Sequence, residues 1–99
     1  MLVRACRIED LPEGKGRMVE VAGECLALFR SGAEVLALDN ECPHRGGALS
    51  GGDLQGGAVH CPLHAWPFDA RTGRCLDEPG VRVRTFPVQV RGGEVWVEV

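Results

Sequence analysis

Two short runs, Cys42-Pro43-His44 and Cys61-Pro62-Leu63-His64, constrain this chain more than anything else in it. Sixteen residues separate His44 from Cys61. Each run offers one thiolate and one imidazole, donors that suit zinc, copper, iron and iron–sulfur clusters. In each, a proline follows the cysteine; proline fixes φ, removes an amide and stiffens a ligand loop. A lone Cys or His in a β protein is ordinarily a packed side chain. Two matched pairs call for a metal, and for a scaffold that presents two loops to one point.

On the residues alone, two metal readings stay open. Two thiolates and two imidazoles complete a tetrahedral zinc site, which would make the chain a zinc-stabilised interaction module. Zinc fingers, however, usually take a cysteine pair from one place and a histidine pair from another. Here each loop mixes the two types. A two-iron, two-sulfide cluster accounts for the mixing, because one iron can take both thiolates and the other both imidazoles.

The rest of the chain limits the choices. Ninety-nine residues make one domain, 1–99, with the metal-binding part at about residues 40–70. Such a chain buries only about 60–65% of its unfolded surface, so a centre tying two loops together would support the fold as well. A net charge of -3 and the lack of a basic stripe argue against nucleic acid as a partner. No apolar run is long enough to span a membrane, and the N-terminal residues do not read as a signal peptide. The cysteines number five, Cys6, Cys25, Cys42, Cys61 and Cys75. An odd count without a secretory signal opposes a disulfide framework and fits a reducing, cytoplasmic setting.

Strand signals recur along the whole length. Leu2–Ile8 and Met18–Val21 alternate in part, and Cys25–Phe29 is an apolar run short enough for a buried strand. Ser31-Gly32-Ala33 has hairpin-turn chemistry, and Glu34–Leu38 returns. Six glycines crowd residues 46–57, which opposes helix and favours tight loops. Ala58-Val59-His60 is expected to feed the second loop and Trp66–Asp69 to leave it. Turns are expected at Arg71-Thr72-Gly73 and Glu78-Pro79-Gly80. Val81–Arg84 then alternates, Phe86–Val90 does so in part with Pro87 marking an edge, and Val95–Val99 closes after a turn at Arg91-Gly92-Gly93. The pattern predicts an all-β fold, an antiparallel sandwich or barrel.

Cys42-Pro-His44-Arg45-Gly46-Gly47 and Cys61-Pro-Leu-His64-Ala65-Trp66-Pro67-Phe68-Asp69 resemble the two cluster-binding boxes of Rieske proteins. In that family two histidines replace two cysteines on one iron of a [2Fe–2S] centre. The resemblance implies a [2Fe–2S] cofactor held by Cys42 and Cys61 on one iron and His44 and His64 on the other. It also implies one-electron transfer with no catalytic residue. The boxes are most similar to those of the small subunit of assimilatory nitrite reductase, and next to those of the ferredoxins of ring-hydroxylating dioxygenase systems. The implied partners are therefore a flavin reductase, a nitrite reductase large subunit or a terminal oxygenase.

Departures refine the reading. Respiratory Rieske proteins carry an extra cysteine in each box, joined as a disulfide; Gly47 and Leu63 stand there. Trp66 and Phe68 replace the Ser and Tyr whose hydroxyls stabilise the added electron, which implies a low potential. Ala65 replaces a frequent glycine. The resemblance covers only the N-terminal domain of Rieske oxygenases, and no second 2-His-1-carboxylate set can be drawn here. An exposed second nitrogen on the imidazoles would make the potential fall at high pH.

Elsewhere the plainer readings lead. Cys6, Cys25 and Cys75 are read as small buried hydrophobes, His60 as structural or surface-facing, and Arg82 and Arg84 as facing water. Arg45 is read equally as a docking group for an acidic partner or a solvated side chain. Trp66 either shields the centre or packs, Trp96 is assigned to the core, and Asp77–Gly80 matches in position a proline loop packed against the centre.

Overall fold

The computed structural model describes residues 1–43, 47–62 and 66–99. Its strands are β1 (Leu2–Arg7), β2 (Gly16–Val21), β3 (Glu24–Ser31), β4 (Glu34–Asp39), β5 (Asp53–Gln55), β6 (Ala58–His60), β7 (Pro67–Asp69), β8 (Thr85–Phe86), β9 (Val88–Arg91) and β10 (Glu94–Glu98). Among the described residues they form three antiparallel sheets, ordered β1-β10-β9, β2-β3-β4-β8 and β5-β6-β7. The antiparallel all-β expectation holds.

The four-stranded sheet is the middle layer, and this explains the unbroken apolar run in β3. Successive side chains point to opposite faces of a strand. Leu26 and Leu28 therefore pack with Val35, Ala37, Val95 and Val97 on one side. Ala27 and Phe29 pack on the other with Leu38, Leu49, Val59, Phe68, Cys42 and Cys61. One core joins the two larger sheets; the other joins the middle sheet to the small one and its loops. Both faces are buried, so both parities must be apolar.

Several expectations are corrected. Val81–Arg84 is not a strand: its one bridge is Arg74–Arg82, and the Val83 N–H donates to the carbonyl of Gly73 at 2.8 Å. The segment pairs irregularly because Gly73 sits at φ +78° with its α-carbon against the Val83 backbone. Phe86–Val90 is not one strand. Pro87 divides it, so Phe86 pairs with β4 while Val88 pairs with β10. The glycine-rich stretch holds more than loops: a 3-10 turn at Leu49–Gly51 and strand β5.

Trp96 is not a core residue. Val95 and Val97 take the buried face of β10, and alternation turns Trp96 outward, opposite Arg4 and Gln89. Arg84 does more than face water. Its guanidinium reaches Glu24 at 2.8 Å and Asp39 at 3.4 Å, and lies 5.1 Å from the centroid of the Phe86 ring.

The turn after β7 is held by Asp69, whose Oδ1 accepts the N–H groups of Arg71 at 2.8 Å and Thr72 at 3.1 Å. These two bonds hold its carboxyl below the ordinary range. A depressed folded pKa contributes stability above the unfolded pKa, and that contribution is lost as pH falls through the folded value. Asp69→Ala is expected to lower the urea midpoint at pH 7. The deficit should shrink once pH drops below about 4, near the unperturbed Asp pKa. Equal deficits at pH 7 and in acid would contradict the role given to the carboxylate.

Candidate metal centre

Two loops hang from the core between the middle sheet and the small one. The first follows β4. The Cys42 N–H donates to the carbonyl of Gly47 at 2.7 Å, and Glu41 bridges Ala48. The second follows β6. The Cys61 N–H donates to the carbonyl of Trp66 at 2.9 Å. Both loops are thus closed by the same bond, from the cysteine amide to the carbonyl five residues on. The matched spelling of the two boxes goes with a matched closing bond.

Each cysteine heads its loop from inside the protein. Cys42 and Cys61 are each 1% exposed, and both belong to the core formed by Leu49, Val59 and Phe68. The prolines that follow them, Pro43 and Pro62, are exposed. The thiols therefore lie in an apolar floor, with the proline after each at the surface. His44 and His64 lie outside the described residues, as do Arg45 and Ala65.

The side chains packed beside the two loops come mainly from the second box. Trp66 is half-buried and packs on the core holding both thiols; Phe68 is fully buried within it. Neither supplies a hydroxyl. The segment after Cys75 returns beside the second loop, with the Leu76 N–H donating to the carbonyl of Pro67 at 2.8 Å. Leu76 is 58% exposed, and residues 77–80 are exposed after it.

The remaining cysteines divide. Cys6 and Cys75 are buried as expected, and burial pushes the Cys6 thiol pKa up, with Arg17 opposing. Cys25 is only half-buried, contrary to expectation, because it lies near the start of β3 where the sheet's cover ends. His60 is half-buried on β6 between Asp53 and Pro67, with its Nδ1 buried and unpartnered among the described residues. Sequence reasoning missed Asn40, a buried polar side chain two residues before Cys42. Its only signal was a polar residue closing an apolar strand.

A [2Fe–2S] group fits what is described here. Soft ligands should be thiols, free of disulfides and shielded from water, and Cys42 and Cys61 are all three. The family model of the Rieske [2Fe-2S] domain matches residues 1–87. The ferredoxin component of the naphthalene 1,2-dioxygenase system of Pseudomonas aeruginosa is 37% identical over 98 residues, covering 98% of this chain and 94% of that protein. A chain in the complex of reduced oxygenase and oxidized ferredoxin in carbazole 1,9a-dioxygenase superposes with a TM-score of 0.86 at 34% identity, covering 97% of this chain and 91% of its own. A Mycobacterium tuberculosis chain named as an NADH-dependent nitrite reductase small subunit superposes with a TM-score of 0.91 at 32% identity, covering 98% and 93%. Matched loops on buried thiols, the family match and these relatives lead to one conclusion: this chain belongs to the Rieske [2Fe-2S] domain family, and it is an electron-transfer protein.

Proposed function

We propose that Cys42 and Cys61 ligate one iron of the cluster, and His44 and His64 the other, so that the chain carries single electrons between a reductase and a terminal oxygenase. The observation that supports this is the pair of buried thiols heading identically closed loops in one apolar core. When bound, the cluster accepts and releases one electron. The protein's own residues do the rest. The loop backbone fixes the spacing of the thiols, and Leu49, Val59 and Phe68 keep water from their inner side. Relatives named as dioxygenase ferredoxin components favour an oxygenase as acceptor. The 0.91 superposition favours a second reading, a non-catalytic subunit beside a nitrite reductase large subunit. No described helix is long and apolar enough to cross a membrane, and reduced cysteines fit a cytoplasmic carrier.

The decisive experiment is the EPR spectrum of dithionite-reduced protein beside its visible spectrum. A rhombic signal from a mixed Cys/His cluster is expected; a colourless protein containing zinc would overturn the reading. A redox titration should give a value near the low end of the Rieske range, about -150 mV. Phe68 is the physical reason: fully buried in the core of both thiols, it offers a ring where a hydroxyl donor would stabilise the added charge. A clearly positive potential at neutral pH would count against it.

A further inference from the structure

Asn40 holds the two cluster loops at a fixed separation, we infer, by clamping the first loop onto the Leu49–Gly51 turn, which packs with its cap Gly52 against the second. The inference rests on the ligand assignment proposed above. Asn40 is 9% exposed, and every polar group it has is engaged. Its backbone N–H donates to the carbonyl of Cys25 at 3.1 Å, and its own carbonyl accepts the Leu49 N–H at 2.7 Å. Its side-chain Oδ1 accepts the Ser50 N–H at 3.0 Å, and its Nδ2 points at the Cys25 Sγ at 3.7 Å. One residue thus ties the strand before Cys42 to β3 behind it and to the 3-10 turn in front.

That turn meets the second loop from the other side. A Cβ on Gly51 would lie 3.5 Å from Pro62, and the α-carbon of Gly52 packs against the carbonyl of His60, the residue before Cys61. The turn is internally braced as well, with Gly51 and Gly52 N–H groups donating to Ala48 and Leu49. The path from Cys42 to Cys61 therefore runs Asn40, Ser50, Gly52, His60. It is short: the Asn40 carbonyl and the Glu41–Ala48 bridge join the first loop to the turn through backbone, and the Asn40 amide adds a side-chain link. A buried polar group left without its partner is costly, so that link holds the turn in one place. On this path Asn40 reaches the second loop through the turn. It is a positioning residue, acting through the turn.

The test uses holo-protein carrying Asn40→Leu, Asn40→Asp, Asn40→Ser or Val35→Ala. Leucine keeps the γ-branched shape and removes the acceptor, aspartate keeps an oxygen at the Oδ1 position, and serine withdraws the oxygen with less crowding. Val35 lies in the other core, and Val35→Ala serves as a control for general destabilisation. Asn40→Leu should lose colour to excess EDTA about tenfold faster than the parent, on the scale of one lost buried hydrogen bond. Its reduced EPR signal should shift, and the Ser50 amide should exchange about tenfold faster. Asn40→Asp should stay near the parent in Ser50 exchange and colour loss, and Val35→Ala should keep the parental EPR shape. If Asn40→Leu does not fold, Asn40→Ser carries the same expectations with smaller shifts. A parental EPR signal and parental Ser50 exchange in Asn40→Leu, or in Asn40→Ser where leucine does not fold, overturn the inference. The ligand assignment fails separately: it falls if Cys61→Ser keeps its cluster, whereas Ser50 exchange reports on the clamp with or without metal.

Discussion

Cys61→Ser is expected to yield colourless protein without inorganic sulfide, while Cys75→Ser stays coloured. The two cysteines make a demanding pair. Both are buried, and both lie in the same core. Either substitution puts a hydroxyl into an apolar site, at a cost of about 1–3 kcal/mol where it finds no partner. A loss of colour arising from general instability would therefore strike both. Only Cys61 heads a loop closed from its own amide to the carbonyl of Trp66. Cys75 instead sits in the return segment, its N–H bonded to Val81. Serine oxygen is a harder donor than thiolate and a poor match for a cluster iron. Iron and sulfide analysis with visible absorbance decides the matter. Retained sulfide in Cys61→Ser, or equal loss in both variants, would sink the assignment of Cys61. Loss of the cluster should also lower the melting temperature of Cys61→Ser well beyond that of Cys75→Ser, since metal binding and folding free energy are linked.

Much of this is legible in the sequence. The two boxes gave the loops, because ligand type and proline placement leave little freedom in the sequence around a metal. The hairpin of β3 and β4 was legible because Ser31-Gly32-Ala33 separates two apolar runs, and the observed register pairs Ser31 with Glu34. What resisted reading was whatever depends on partners distant in the chain. Val81–Arg84 has the period of a strand, yet no straight neighbour is available beside the Gly73 turn. Trp96 has the chemistry of a core residue, and only the parity of Val95 and Val97 turns it outward. Pro87 was correctly read as an edge marker, but not as the point where the chain passes from one sheet to another. Asn40 looked like a strand-end polar residue; its role exists only because Ser50 folds back onto it.

Gly52→Ala is expected to be the most damaging single methyl group on the backbone of this region. The φ of Gly52 is −91°, ordinary for any residue, so the left-handed backbone plays no part. Space is the issue. An added Cβ would lie 2.0 Å from the carbonyl oxygen of His60 and 3.3 Å from that of Leu49. Both obstacles are backbone, and neither can swing aside as a side-chain end would. His60 pairs with Asp53 on one side and Pro67 on the other, so moving it displaces β6 and the cysteine that follows. Overpacking of this kind costs about 3 kcal/mol, the upper part of the usual range. Gly56→Ala provides the contrast. It has φ +59° and nothing within 4 Å of the new methyl, so only the left-handed penalty of about 1 kcal/mol applies. Urea denaturation of both variants should therefore rank Gly52→Ala as several times the more destabilised. Its cluster should also bleach faster, because the displaced carbonyl stands one residue before Cys61. Equal midpoints for the two variants would mean that the turn yields to β6 at little cost, and the close packing between them would then fix nothing.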